Sequence, residues 1–518
     1  MRFAVLFVTL TMLLTDTVMT ASEPAALDIG ARRELFVDGF LIDRLQGAQL
    51  RLHRPTPREV AIVHDKPWEG SSSAYKTVIR DGKIYRMYYR GSDVIYTQRG
   101  YHSEHPEFAC YAESNDGIRW TKPELGLVEF KGSKKNNIIW AGVGTHNFAP
   151  FKDSNPNCKP DERYKALAGL KREGGLFALK SADGIHWSLM RDKPVITKGA
   201  FDSQNLAFWD ATRGEYREYL RDFRNGRDIR TSTSKDFLNW SDPEYLSYAQ
   251  PLHHTGGPAA DTTKKHPPGR VSQLYTNQIT SYYRAPHIFL GFPTRYIDRG
   301  WSESAKALPQ LKYRKLRGAK SRREGTAVTD GMIMASRDGH LFHIWPESFV
   351  RPGIQRPGSW FYGDSYQNWG LVETKSDRRG APNELSIYVG EDSHQGDSVT
   401  WRRHTLRIDG FVSVQASLAG GQCTTKPLRF RGDELSLNLS TSAAGSIRVE
   451  IQDESGKPIP RFALSDCYEI YGDKLDRLVV WKGGRDVSSL AGKTVRLRFE
   501  MKDADLYSFQ FRPRRPSK

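Results

Sequence analysis

Cysteine is scarce in this chain, with four in 518 residues, too few for a disulfide framework. Cys110 with Cys158 and Cys423 with Cys467 are spaced for two local bridges, and four buried thiols is the alternative reading. There is no Cys-x-x-Cys pair and no His-x-x-x-His pair, so the spacing supplies no structural zinc site. No motif calls for a cofactor, and a structural calcium held by carboxylates has no support. Long apolar runs are missing after the first residues, which excludes a transmembrane helix. The one such run, from Phe3 to Leu14, follows Arg2 and leads to small residues at Ala21. Residues 1–21 therefore read as a signal peptide of a secreted or periplasmic protein. Acidic residues are outnumbered, 60 Asp and Glu against 77 Lys and Arg, for a formal charge of +17. That excess clusters only at Lys312–Arg323 and Arg512–Lys518, and it suits an acidic partner such as an anionic polysaccharide. No recognised binding motif accompanies it, which argues against nucleic acid.

What the chain does have is a repeated turn. Ser114, Asp116, Gly117 and Trp120 recur as Ser181, Asp183, Gly184 and Trp187, as Ser234, Asp236 and Trp240, and as Ser336, Asp338, Gly339 and Phe342. Asp in such a turn accepts from the backbone beyond it, Gly supplies a positive φ, and the aromatic ring packs between sheets. Tyr-rich strands precede the turns at 84–89, 164–168 and 216–220, with further strands of this kind at 287–291 and 384–389. Five units fit between about residue 60 and residue 410, although the fifth has no Ser-x-Asp turn. After residue 416 the pattern changes to alternating strands with short turns. The expected fold class is all-β, a five-bladed β-propeller followed by a jelly-roll-like C-terminal β-sandwich. The divisions are a signal peptide at 1–21, a segment at 22–59 packed on the propeller, the propeller at 60–412, the sandwich at 413–513 and a basic tail at 514–518. Two insertions interrupt the blades, at 251–270 and at 301–324, the second with room for a short helix at 304–311.

These turns resemble the blade turns of five-bladed propeller glycoside hydrolases of families 32, 43, 62 and 68, over roughly residues 60 to 410. They are one residue shorter than the similar turns of six-bladed sialidases. The resemblance implies an acidic residue on the innermost strand of blades one, two and three and cleavage of glycosidic bonds by a carboxylate pair; the expected substrate is a plant, algal or otherwise anionic polysaccharide. The fructan-cleaving and family-43 signatures are absent, so no sugar is inherited. A glycan-binding or cell-surface propeller without catalysis is the alternative.

The segment opening each unit then supplies the candidates. Glu69 stands beside Trp68, a carboxylate next to a ring on which a sugar can stack. His146 and Asn147 open the second unit, and Asp202 with Gln204 and Asn205 opens the third. Asn277 opens the fourth, and Asp364 sits among Tyr362 and Trp369 in the fifth. Asp202, Glu69 and Asp364 are the expected catalytic acids. The others, with Arg221 on a charged rim and Arg295 as an anion clamp, are the expected substrate contacts.

Overall fold

The computed structural model describes residues 26–251, 270 and 272–514. The signal-peptide expectation, most of the 251–270 insertion and the last residues of the basic tail lie outside the described residues. Five mainly antiparallel sheets follow one another along the chain. Their inner strands are Thr77–Asp81, Ala149–Lys152, Leu206–Asp210, Thr280–Tyr282 and Val372–Thr374. Each inner strand pairs with a second strand, Ile84–Gly91, Tyr164–Ala168, Glu215–Phe223, Ala285–Gly291 and Glu384–Glu391 respectively. Residues from all five inner strands line one axial cavity, which makes the arrangement a five-bladed propeller.

The ring closes through the N-terminal side of the chain. Thr56–His64 pairs antiparallel with Val399–Leu406 and becomes the outer strand of the fifth blade. This explains the missing fifth turn. In the other blades the Ser-x-Asp turn joins the third strand to the fourth, and here the fourth strand comes from elsewhere in the chain.

The four turns share one hydrogen-bond pattern. Each Ser hydroxyl accepts from the residue three positions on, as Ser114 Oγ does from Gly117 N at 2.9 Å and Ser336 Oγ from Gly339 N at 2.9 Å. Each Asp accepts from two successive amides, as Asp183 Oδ1 does from Ile185 and His186 at 2.9 Å each. The aromatic ring reaches the preceding blade: Trp120 meets Tyr388, Trp187 meets Tyr88, and Phe342 meets Tyr219. The Tyr-rich second strands thus supply the surfaces on which the turns rest. A Cβ on Gly184, whose φ is 79°, would lie 2.6 Å from Tyr88 Oη. Gly184→Ala is expected to cost about 1–3 kcal/mol, read as a lowered denaturation midpoint.

Beyond the propeller, Glu434–Gln452 and Arg496–Arg512 pair along most of their length and curl around a core that includes Leu437, Val449, Phe499 and Phe509. The segment expected to pack on the propeller does more than that. Leu27–Gly30, Arg33–Leu35, Ile42–Gln46 and Ala48–Leu52 pair with strands of this C-terminal β module. The same segment touches the fourth blade, where Arg337 reaches Glu34 at 2.7 Å and Asp38 at 2.9 Å. All four cysteines are free, so neither local bridge forms: Cys110 and Cys158 belong to different blades, and Cys423 and Cys467 stay thiols.

Candidate functional site

Strand direction decides what can meet at the axis. Strands alternate within a blade, so the loop between the second and third strands emerges on the same face as the start of the inner strand. On that face lies a cavity of about 690 Å³. Inner-strand starts give it Tyr75, His146, Asp202, Tyr275 and Tyr366, and second-to-third-strand loops give it Glu107, Arg172, Arg323, Glu324 and His394.

Asp202 sits on this wall with its side chain 59% exposed. It follows Phe201, whose φ of 59° places a bulky residue in the left-handed region, and Tyr75 nearby has a φ of 54°. Such strain persists only where the surroundings impose it, and here they do. Asn147 Nδ2 donates to the carbonyls of Phe201 at 2.8 Å and Ser203 at 2.9 Å. Asn205 Nδ2 donates to the same two carbonyls at 3.1 and 2.9 Å. The Asp202 turn is therefore clamped from beneath by two amides.

His146 faces Asp202 with Nε2 3.9 Å from Oδ1, while its Nδ1 lies 2.9 Å from both oxygens of Glu107. Arg90 Nη1 stands 3.1 Å from the same Nδ1 and 3.5 Å from Glu107 Oε1. Burial raises the Glu107 carboxyl, but the Arg90 charge and the His146 hydrogen bond outweigh it and hold the group at about 2. An ionised Glu107 fixes the ring orientation of His146.

Across the cavity, Glu324 comes from the 301–324 insertion. Tyr96 donates to it at 3.1 Å, and Arg323 and Arg317 lie 3.0 and 4.0 Å away. Two short helices, Glu303–Lys306 and Leu311–Gly318, replace the single helix expected at 304–311, because Pro309 has no N–H to continue one. The insertion is basic in sequence but not a solvated patch. Arg314 and Arg317 are buried and donate to the carbonyls of Trp360 and Tyr362 at 2.9 Å each, fastening it to the rim. His394 completes this side. Burial and then the charges of Arg317, Arg90 and Arg323 push its imidazole well below the usual range, so it stands neutral. Tyr275, Tyr362 and Tyr366 form the aromatic floor, with the Tyr362 hydroxyl donating to that of Tyr275 at 2.6 Å.

Of the residues expected from the sequence, Asp202, His146 and Tyr362 line this cavity, and the others do not. Glu69 is 1% exposed in the first blade. It accepts from Tyr89 at 2.6 Å, from Lys122 at 2.5 Å and from the Lys66 amide at 3.0 Å. Asp364 lies behind the wall, accepting from the amides of Phe361 and Ser393 at 3.1 and 3.0 Å, and burial pushes its carboxyl up to about 7. It joins the loops of Tyr362 and His394 and does not open to the cavity. Trp68 Nε1 donates to Asn137 at 2.7 Å. Arg295 is spent on Asp330, at 2.8 and 2.5 Å. Arg221 is buried under the Tyr275 ring and donates to its carbonyl at 2.5 Å.

The remaining amides serve the backbone. Asn277 donates to the carbonyls of Gln204 and Tyr219 at 3.3 and 3.2 Å. Gln204 Nε2 donates to Thr77 Oγ1 at 3.0 Å, and Gln278 Nε2 to Gln204 Oε1 at 2.9 Å and the Gln367 carbonyl at 2.8 Å. Trp369 Nε1 donates to the Ile279 carbonyl at 2.9 Å beside this plug. Glu107, Arg90, Glu324 and His394 lie outside the segments that open each unit, which supplied the sequence candidates. The alternation of strand direction was the signal that would have found them.

Among the described residues no group of three His, Cys, Asp or Glu side chains is placed to hold a metal ion, and no helix is long and apolar enough to cross a membrane. No family model matches the chain, and no curated protein matches it. Solved structures to which it is similar include a thermostable family-43 glycoside hydrolase at 14% identity, covering 70% of this chain and 95% of that one with a TM-score of 0.39. The catalytic domain of a Coprinopsis cinerea family-62 α-L-arabinofuranosidase gives 8% identity, 69% and 99% coverage and a TM-score of 0.39. A Bombyx mori family-32 β-fructofuranosidase gives 10% identity, 90% and 95% coverage and a TM-score of 0.34. Similarity at this level carries no argument about chemistry, and the propeller is assigned from its own sheets.

Proposed function

We propose that this protein is an exported glycoside hydrolase whose chemistry takes place in the axial cavity around Asp202. The observation that carries the reading is the chain Asp202–His146–Glu107 on one wall, with a second carboxylate, Glu324, on the rim. Glycosidic cleavage needs one group to protonate the leaving oxygen and another to activate water or attack the anomeric carbon. Asp202 takes the part of the proton donor to the leaving oxygen, with the His146 ring 3.9 Å away and held in place by Glu107. Glu324, bonded to Tyr96 and Arg323, takes the part of the second carboxylate. The tyrosine floor offers rings for a sugar face. Three arginines and three carboxylates line the cavity, so its charges balance, and the substrate is proposed as a plant or algal glycan that needs no charge of its own.

The roles separate by leaving group. On an aryl glycoside whose phenol leaves unaided, Asp202→Asn is expected to keep most of its rate of phenol release, whereas Glu324→Gln loses roughly 10²-fold or more. Equal loss in both variants on activated and natural substrates would refute the division of roles. No turnover by the wild type on any glycan, with binding retained, would leave a glycan-binding propeller instead.

A further inference from the structure

The propeller axis has a second mouth. At the C-terminal ends of the inner strands lies a cavity of about 460 Å³, beyond the plug of Gln204, Gln278 and Gln367 from Asp202. Its volume falls within the range of small-ligand sites, about 300–1,000 Å³. Rings from four blades line it: Phe151, Phe208 with Trp209, Tyr283 and Trp369. Trp209 is half-buried and Tyr283 is 48% exposed, so two ring surfaces remain open in a concave floor.

The charged groups at this mouth mostly have partners within the fold. Lys152 reaches Asp81 at 2.6 Å, and Glu373 accepts from the Tyr283 hydroxyl and from Asn383 at 3.1 Å. Arg80 packs toward the Tyr85 ring. An ionic ligand would have to compete with these pairs, and a purely apolar one would face Ser154 and Ser281. A sugar ring presents a C–H face to an aromatic ring and hydroxyls to such groups, and it needs no charge.

We propose that this cavity is a second glycan-binding site, for a neutral oligosaccharide, on the propeller face opposite Asp202. Its ligand class rests on the glycan reading above, but the site itself does not depend on Asp202. Held here, a polymer stays at high local concentration for the cavity at the other end of the axis.

The test uses the full-length Asp202→Asn protein, so that nothing is turned over, titrated with cellotriose, xylotriose, arabinotriose and mannotriose by calorimetry and Trp fluorescence. At least one trisaccharide is expected to bind saturably. Trp209→Ala should weaken that binding about tenfold or more, Tyr283→Ala should also weaken it, and Tyr362→Ala should leave this event unchanged. Turnover of short soluble substrates by the Trp209→Ala enzyme should match the wild type. Because Tyr283 is about half exposed, its variant keeps the test sound even if Trp209→Ala fails to fold. Binding that ignores both residues, or no binding of any of the four sugars, overturns the proposal. Binding that depends on Trp209 in a protein whose wild type cleaves nothing keeps this site and removes the hydrolase reading. Cleavage without such binding does the reverse.

Discussion

Asp202→Asn is expected to lower turnover on the natural glycan by roughly 10²–10⁴-fold, the range carried by a positioned proton-transfer group, with little change in KM. The thermal midpoint should stay that of the wild type. Asp202 is 59% exposed and its nearest basic side chain, His146, is 3.9 Å away, so little in the fold leans on its charge. The strain of the turn is borne by Phe201, Asn147 and Asn205, and none of these is changed. A variant that loses activity and stability together would place Asp202 in the framework instead. His146→Asn should fall in activity too, because it removes the ring that stands beside Asp202 and links it to Glu107.

Glu69→Gln should show the opposite pattern, with about 3–5 kcal/mol of stability lost and turnover per folded molecule unchanged. This carboxylate sits at the seam where the ring closes. His64, on the closing strand, lies 3.3 Å from Glu69 and 2.5 Å from Lys76 Nζ, and Lys76 packs over the Trp401 ring at 4.1 Å. Burial raises the Glu69 carboxyl, but His64 and then Lys122 outweigh it and bring it to about 2. Burial, with the charge of Lys76, lowers His64 to about 3.

The sign of the pH dependence follows. A carboxyl at about 2 folded and 4.5 unfolded contributes stability that is present above 4.5 and lost as pH falls through 2. An imidazole at about 3 folded and 6.5 unfolded binds its proton more readily when unfolded, so it also weakens the fold as pH falls from 6.5 toward 3. Both act in one direction, and acid should open the ring at this seam. In Glu69→Gln the part of that slope between about 4.5 and 2 should disappear from denaturation curves taken across pH. A variant as stable as the wild type, or one that is inactive while folded, would contradict the structural assignment.

The same contrast shows what the sequence could reveal. Its blades were legible because the Ser-x-Asp turn is a local device: every hydrogen bond that defines it spans two or three residues, as between Ser114 and Gly117. The absence of a fifth turn was visible but not its reason, since the closing strand Thr56–His64 pairs across more than 300 positions with Val399–Leu406. The amides were misread for a related reason. Asn147, Asn205 and Asn277 open inner strands, where a substrate could reach them, yet Asn147 and Asn277 donate to carbonyls of neighbouring turns that only the fold brings close, and Asn205 donates to carbonyls of its own turn. Glu69 beside Trp68 looked like a catalytic acid, but its partners Tyr89 and Lys122 lie 20 and 53 positions away and bury it. The cationic insertion gave the least warning: Arg314 and Arg317 read as surface charge, and they are the fastenings of a rim that brings Glu324 to the cavity.

The most direct measurement is a crystal structure of the Asp202→Asn protein soaked with a glycan that the wild type cleaves. The expected density places the scissile glycosidic oxygen within hydrogen-bond reach of the side chain at position 202 and of His146, with the anomeric carbon facing Glu324. The separation of the two carboxyl positions then decides the stereochemistry, roughly 5 Å for a covalent intermediate and about 6.5–9.5 Å for an intervening water. A scissile bond bound away from this cavity, or one whose oxygen faces neither position 202 nor His146, would contradict the account.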